Sequence, residues 1–257
     1  MLGRSRSTLR YRPADRSHDA PLIKAIMRLA GKHPRWGYRI IHALLEREGW
    51  RVNLKRIHRL WTELKLQRQI RRKKAKKLGQ KRGTSANSCV NRPARFKDDV
   101  WTYDFVADRT EGGSPLKWLT LVDEYTRECL ALHVDRAVNG ADVRRVLARV
   151  VRRRGAPKSI RSDNGAEFIC EALQQWLPQQ GTEPIQVAPG SPWQNGYSES
   201  FNSRFRDEFL EAEEFESVLD AREKGEWFRR EYNTVRPHSS LDYKTPKEFS
   251  DECDQRR

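Results

Sequence analysis

The chain has 257 residues, 37% of them hydrophobic and 33% charged, with a formal net charge of +16. That length supports one sizeable core or two small ones, and no apolar run approaches the ~18 residues of a membrane span or forms a leader segment at the start. The composition therefore predicts a cytoplasmic protein with no membrane partner.

The charge is unevenly placed. Residues 1–100 carry 28 Lys/Arg against 7 Asp/Glu, and residues 101–257 carry 23 against 28, so +21 and −5 make up the +16. A basic front and a nearly neutral back predict a polyanion-binding arm on a separately folded body. Cys89, Cys129, Cys170 and Cys253 form no CxxC pair and no finger-like His/Cys spacing. That pattern argues against a structural zinc site and fits a reducing compartment.

Residues 1–20 are polar and basic with little periodicity and read as a lead-in. Residues 21–67 then predict three short helices. The first places Leu22, Ile23, Ile26, Met27 and Leu29 at helical spacing. The second buries Ile40, Ile41, Leu44 and Leu45, and the third buries Ile57, Leu60, Trp61 and Leu64. Lys55, Arg56 and Arg59 point outward from the third, which suits phosphate contact by a helix-turn-helix-like module. His33, His42 and His58 read as ordinary surface or packing histidines. Residues 68–92 form a basic linker, with Arg71, Arg72, Lys73 and Lys74 in a run suited to a DNA backbone.

A second domain is expected over residues 93–250, with 251–257 as a tail. Three strand-like runs, Val100–Asp108, Leu116–Asp123 and Glu128–Val134, precede an amphipathic helix, Asn139–Arg154. A short strand leads into Asp163, a helix spans Gly165–Leu177, and Ile185–Val187 is a last strand. Two further helices follow, one carrying Glu199 and one over Val218–Tyr232. Three strands, helix, strand, helix, strand, helix is a ribonuclease-H-like order of mixed α/β elements.

Three carboxylates stand out in this order. Asp104 lies inside the apolar run Val100-Trp101-Thr102-Tyr103-Asp104-Phe105-Val106, where a carboxylate is costly unless paired or metal-bound. Asp163 opens Asp163-Asn164-Gly165, which also suits a turn or a helix cap. Glu199 sits in SPWQNGYSESFNSRFR, with 35 residues between it and Asp163. Arg206 follows seven residues later, and at about 100° per residue both side chains share a helix face. Asp123 and Glu167, and more distantly Asp108, compete for the same role.

These residues carry a resemblance. Asp104 in WTYDFV, Asp163 in RSDNGAEF, Glu199 in PWQNGYSESFNSRFRDE and the tail YNTVRPHSSLDYKTPKEF resemble the OrfB transposase of bacterial IS-three-type insertion sequences. These enzymes use a DDE triad and an integrase-type catalytic core. Four blocks in order and spacing span nearly the whole chain. The resemblance implies a five-stranded mixed sheet with helices, behind a small all-α domain. It places residues 1–20 at an internal part of OrfB, so the chain is expected to begin later than a full product.

The implied activity is metal-dependent cleavage and strand transfer of DNA, without a covalent protein intermediate. Asp104, Asp163 and Glu199 would hold two Mg2+ ions, a role hard oxygen ligands suit and Mn2+ can share. Arg206 would contact the DNA end, and Asn164, Gln194 and Asn195 the phosphates. Trp193 and Tyr197 could stack on a splayed base or simply pack in the core. The expected partners are element-end and target DNA, an OrfA-type protein in trans or by fusion, and further copies of the chain on nucleoid DNA. A non-catalytic, DNA- or OrfA-binding regulator and a nuclease that cleaves without joining are the alternatives. The block Arg236-Pro237-His238-Ser239-Ser240 has no assigned role; a metal-ligating His238 is a minor alternative.

Overall fold

The computed structural model describes residues 17–67, 92–162, 171–186 and 195–255. The chain divides into two compact units, Met1–Arg71 and Arg72–Arg257.

The first unit contains α1 (Ala20–Lys32), α2 (Tyr38–Arg47) and α3 (Leu54–Glu63) after a short turn, Ser17–Asp19. Each helix buries one apolar stripe: Leu22, Ile26 and Leu29 from α1, Ile41, Leu44 and Leu45 from α2, and Ile57, Leu60 and Trp61 from α3. His33 stacks flat on Trp36 where α1 ends, with ring centroids 3.8 Å apart. Asn53 caps α3 by accepting from the Lys55 amide at 2.8 Å.

The second unit is built on five strands: β1 (Val100–Arg109), β2 (Pro115–Asp123), β3 (Cys129–Asp135), β4 (Ser159–Ser162) and β5 (Glu183–Gln186). Their order across the sheet is β3-β2-β1-β4-β5. The hairpins β1–β2 and β2–β3 are antiparallel, whereas β4 joins β1 and β5 joins β4 in parallel. The sheet is therefore mixed. Pro184 sits in β5 at the sheet edge, where a missing N–H is tolerated.

Helices cover both faces. They are α4 (Gly140–Arg154), α5 (Glu171–Gln179), α6 (Gly196–Phe205), α7 (Val218–Thr234) and α8 (Pro246–Gln255). Alternation along β1 and β2 sorts the side chains. Trp101, Tyr103, Leu119 and Leu121 join Val143, Val146, Leu147 and Val150 of α4 and Leu173 and Leu177 of α5 in one core. Val106, Trp118 and Val122 join Phe201, Phe205, Phe209, Phe215, Phe228 and Tyr232 in the other. The Trp118 ring meets Phe205 edge-on at 5.2 Å.

The predicted elements reappear with shifted ends, residues 165–170 of the helix expected over Gly165–Leu177 and Val187 of the last strand lying outside the described residues, and α8 is an addition to them. It buries Pro246 and Ser250 and is tied down by Lys97–Asp254 and Lys244–Glu252 ion pairs. Among the described residues no helix is long and apolar enough to cross a membrane.

Candidate active site

Asp104 occupies the middle of β1, opposite Thr120 of β2. Strand alternation puts it on the face of Thr102 and Val106, the face that α6 covers. Its carboxylate is half-buried and held on both oxygens. Oδ1 accepts from the Phe105 amide at 2.7 Å. Oδ2 accepts from Ser198 Oγ at 3.0 Å and from Asn202 Nδ2 at 2.8 Å. Ser198 and Asn202 lie one turn apart on α6, so both reach the same strand residue.

The amide of Asn202 is itself oriented, because its Oδ1 lies 3.1 Å from the Thr120 hydroxyl. At the start of α6, buried Asn195 accepts from Thr102 Oγ1 at 2.8 Å. Five polar side chains, Thr102, Thr120, Asn195, Ser198 and Asn202, thus fasten the helix to β1 and β2 across an otherwise aromatic core. None of Thr102, Thr120, Ser198 and Asn202 stood out in sequence as functional. The available signal was the i, i+4 spacing of two small polar residues on either side of Glu199.

Glu199 lies on the same helix with its side chain exposed. Partial desolvation and then the negative charge of Asp104 push its carboxyl above the ordinary glutamate value. Arg206 is also exposed, and helical backbone runs unbroken to it, its amide bonding the Asn202 and Ser203 carbonyls. A π-helical turn, Arg206–Leu210, follows. The charge of Arg206 acts on Asp108, whose carboxyl burial raises.

Asp163 and Asn164 lie outside the described residues, as do Glu167, Trp193, Gln194 and the basic run Arg71, Arg72, Lys73 and Lys74. Asp163 directly follows β4 in the chain. Among the described residues no three His, Cys, Asp or Glu side chains gather as a metal site; the described part holds two of the three expected carboxylates.

The competing Asp123 is engaged elsewhere. It is fully buried, and its Oδ1 accepts from the Tyr125 amide at 2.8 Å. Its Oδ2 accepts from the Asp98 amide at 3.0 Å and meets Arg154 Nη2 at 3.3 Å. Burial pushes its carboxyl up to about 6. Arg154 also holds Asp98 and Glu128, so this cluster pins α4 to the ends of the strands.

The ring of Tyr197 is covered by the Arg127 guanidinium at 3.8 Å. The tail block is structural. Arg236 forms a buried bidentate pair with Glu208 of the π turn at 2.6 and 2.5 Å. His238 is buried against Tyr232 at 4.7 Å, and Arg236, Arg204 and Arg127 surround it. Such cationic surroundings do not suit a metal ligand.

In the helical unit Lys55 is exposed, but Arg56 and Arg59 converge on the buried Asp19. Arg56 Nε donates to Oδ1 at 2.8 Å and Arg59 Nη2 to Oδ2 at 2.6 Å.

Comparison with known proteins agrees with this architecture. The family model "Integrase core domain" matches residues 95–192, a second model of that description matches 180–246, and "HTH-like domain" matches 17–74. The insertion element IS407 uncharacterized 31.7 kDa protein of Burkholderia multivorans is 39% identical over 250 residues, 97% of this chain and 88% of that protein. The IS476 uncharacterized 39.2 kDa protein of Xanthomonas euvesicatoria is likewise 39% identical, covering 97% and 70%. Transposase InsD of insertion element IS2 from Escherichia coli is 26% identical, covering 97% and 84%.

A chain of the simian T-cell lymphotropic virus intasome structure shares the fold, with a TM-score of 0.53 at 13% identity. The match covers 62% of this chain and 56% of that one. A mixed five-stranded sheet with these helices is the ribonuclease-H-like integrase core, preceded here by a helix-turn-helix-like unit. The chain belongs to the integrase-core family of insertion-sequence transposases, of the IS-three OrfB type.

Proposed function

We propose that the chain is a transposase subunit that cuts one DNA strand at an element end and joins the resulting 3′ end to target DNA. The observation that carries this reading is that the helix bearing Glu199 also holds Asp104, through Ser198 and Asn202 one turn apart on it. A carboxylate so fixed on a strand, with a second carboxylate on the helix that fixes it, the second's pKa raised by desolvation and then by the charge of the first, makes a pair that a cation would join.

Asp104, Glu199 and Asp163 are the proposed ligands. An all-oxygen set on a partly open surface fits Mg2+, which retains water, and Mn2+ can replace it. Two bound ions would stabilise both the attacking and the leaving oxygen of an in-line displacement.

The chain's own groups have distinct tasks. Ser198 and Asn202 hold Asp104 Oδ2 in one orientation. Arg206 and Asn164 contact phosphates of the DNA end, and Arg71–Lys74 follows the backbone. In nicking, a water oxygen bonds to phosphorus as the 3′ oxygen leaves; in joining, the 3′-hydroxyl does so and a target 3′ oxygen leaves. Neither step needs a nucleophilic side chain. An OrfA-type partner supplies most end recognition, and several copies assemble on nucleoid DNA in the cytoplasm.

The test incubates the purified chain, with and without OrfA, with a pre-cut element-end duplex and a target duplex in Mg2+ or Mn2+. Joined strands that disappear with chelator support the reading. Hydrolysis without joining indicates a nuclease. Binding without either reaction indicates a regulatory protein.

A further inference from the structure

The helical unit carries two adjacent stripes of polar side chains on α3, and they are differently engaged. Arg56, Arg59 and Glu63 form one, at i, i+3 and i+7. Arg56 and Arg59 both hold Asp19, which is only 2% exposed, and Arg59 also reaches Glu63 at 3.1 Å. The partner Asp19 lies 37 and 40 positions earlier, so these pairs fasten α3 to the turn that starts α1.

Lys55 and His58 form the other stripe, and both are exposed. The one acid on α3, Glu63, belongs to the first stripe. The His58 ring lies against Tyr38, the first residue of α2, with centroids 4.7 Å apart. Arg39 Nε donates to Tyr38 Oη at 3.2 Å, and its guanidinium lies 5.7 Å from the Tyr38 ring centroid. The start of α2 and the first half of α3 thus present lysine, histidine, tyrosine and arginine together on one exposed surface.

The chemistry of that surface matches duplex DNA. Ammonium and imidazole groups can pair with guanine O6 and N7 in the major groove, and a guanidinium fork matches a phosphate. In helix-turn-helix docking the early residues of the last helix meet base edges, and Lys55 and His58 are its second and fifth.

Building on the reading of the chain as a DNA-joining protein, we propose that the Lys55–His58 stripe enters the major groove. Tyr38 and Arg39 sit on the flanking phosphate, and Arg56 and Arg59 fasten α3 rather than touch DNA.

The test selects duplexes from a randomised pool with the full chain, then measures binding by fluorescence anisotropy on the enriched duplex and on a shuffled one. The wild type should enrich a motif. His58→Ala and Lys55→Ala should each weaken binding to the enriched duplex roughly 5- to 150-fold and leave the shuffled one nearly unchanged. Arg39→Ala should weaken both alike and reduce the salt slope by about 0.9. Arg56→Ala and Arg59→Ala should lower the melting temperature yet keep the preference wherever circular dichroism shows native helix.

The proposal is overturned if the wild type enriches no motif. It is also overturned if folded Arg56→Ala or Arg59→Ala loses the preference while Lys55→Ala and His58→Ala retain it. Strand joining by the same preparations separates the two readings. Joining together with an unaltered preference in His58→Ala and Lys55→Ala defeats this assignment alone. A wild type that neither binds nor joins DNA defeats the transposase reading and this assignment with it.

Discussion

Asn202 Nδ2 donates a 2.8 Å hydrogen bond to Asp104 Oδ2, linking the middle of β1 to the helix that carries Glu199. The same amide meets Thr120 through its oxygen. Carboxylate, amide and hydroxyl therefore form a chain across two strands and one helix, and a movement of α6 would reorient Asp104.

Removing that amide should be felt at the metal. Asn202→Ala should weaken Mn2+ binding roughly 10- to 100-fold, as loss of a group that orients a ligand does. Isothermal titration calorimetry would measure it, with circular dichroism to verify the fold. Unchanged affinity in a folded variant would mean that Asp104 needs no such support.

The Arg236–Glu208 pair gives the tail block a stabilising role. Breaking a buried pair from one side leaves an uncompensated charge, so Arg236→Ala or Glu208→Ala should each cost about 3–5 kcal/mol. Replacing both with apolar residues of similar size should recover most of that loss. Urea denaturation monitored by tryptophan fluorescence reports both.

His238 supplies a pH dependence. Burial, followed by the charges of Arg236, Arg204 and Arg127, depresses its pKa from 6.5 to about 2. The unfolded chain therefore binds the proton more readily, and stability falls as pH drops below 6.5. At pH 5 the contribution is about 2 kcal/mol relative to neutral pH. Thermal melts of wild type and His238→Phe across pH 7 to 4.5 should converge toward the acid end. Parallel curves would contradict the assignment.

Gly225 of α7 lies against the Trp118 ring, where a Cβ would stand 2.6 Å from Cζ3. Gly225→Ala should destabilise the core by about 1–3 kcal/mol despite its better helix propensity. A lower melting temperature checks this; a higher one would mean that Trp118 yields freely.

Apolar runs anticipated the strands β1 to β3, and α4 shows a clear apolar stripe, whereas the five-stranded mixed sheet was legible only through the family resemblance. Asp104 was legible for a related reason: a carboxylate inside an apolar strand calls for a partner. Ser198 and Asn202 were not, since polar helical residues usually face water and only the fold turns these toward β1. The engagement of Arg56 and Arg59 by Asp19 was equally hidden, because it joins residues far apart in sequence. The helix α8 escaped because ion pairs, rather than an apolar stripe, tie it to its surroundings.

The claim that Asp104 and Glu199 act as one unit is tested most directly by a mutant cycle on strand joining. Asp104→Asn, Glu199→Gln and the double variant would be compared with wild type on a pre-cut end in Mg2+, each first shown to be folded. The account predicts that each single variant loses as much joining as the pair, because groups that hold one metal site fail together. A single variant that joins at the wild-type rate, or losses that multiply independently in the double variant, would contradict it.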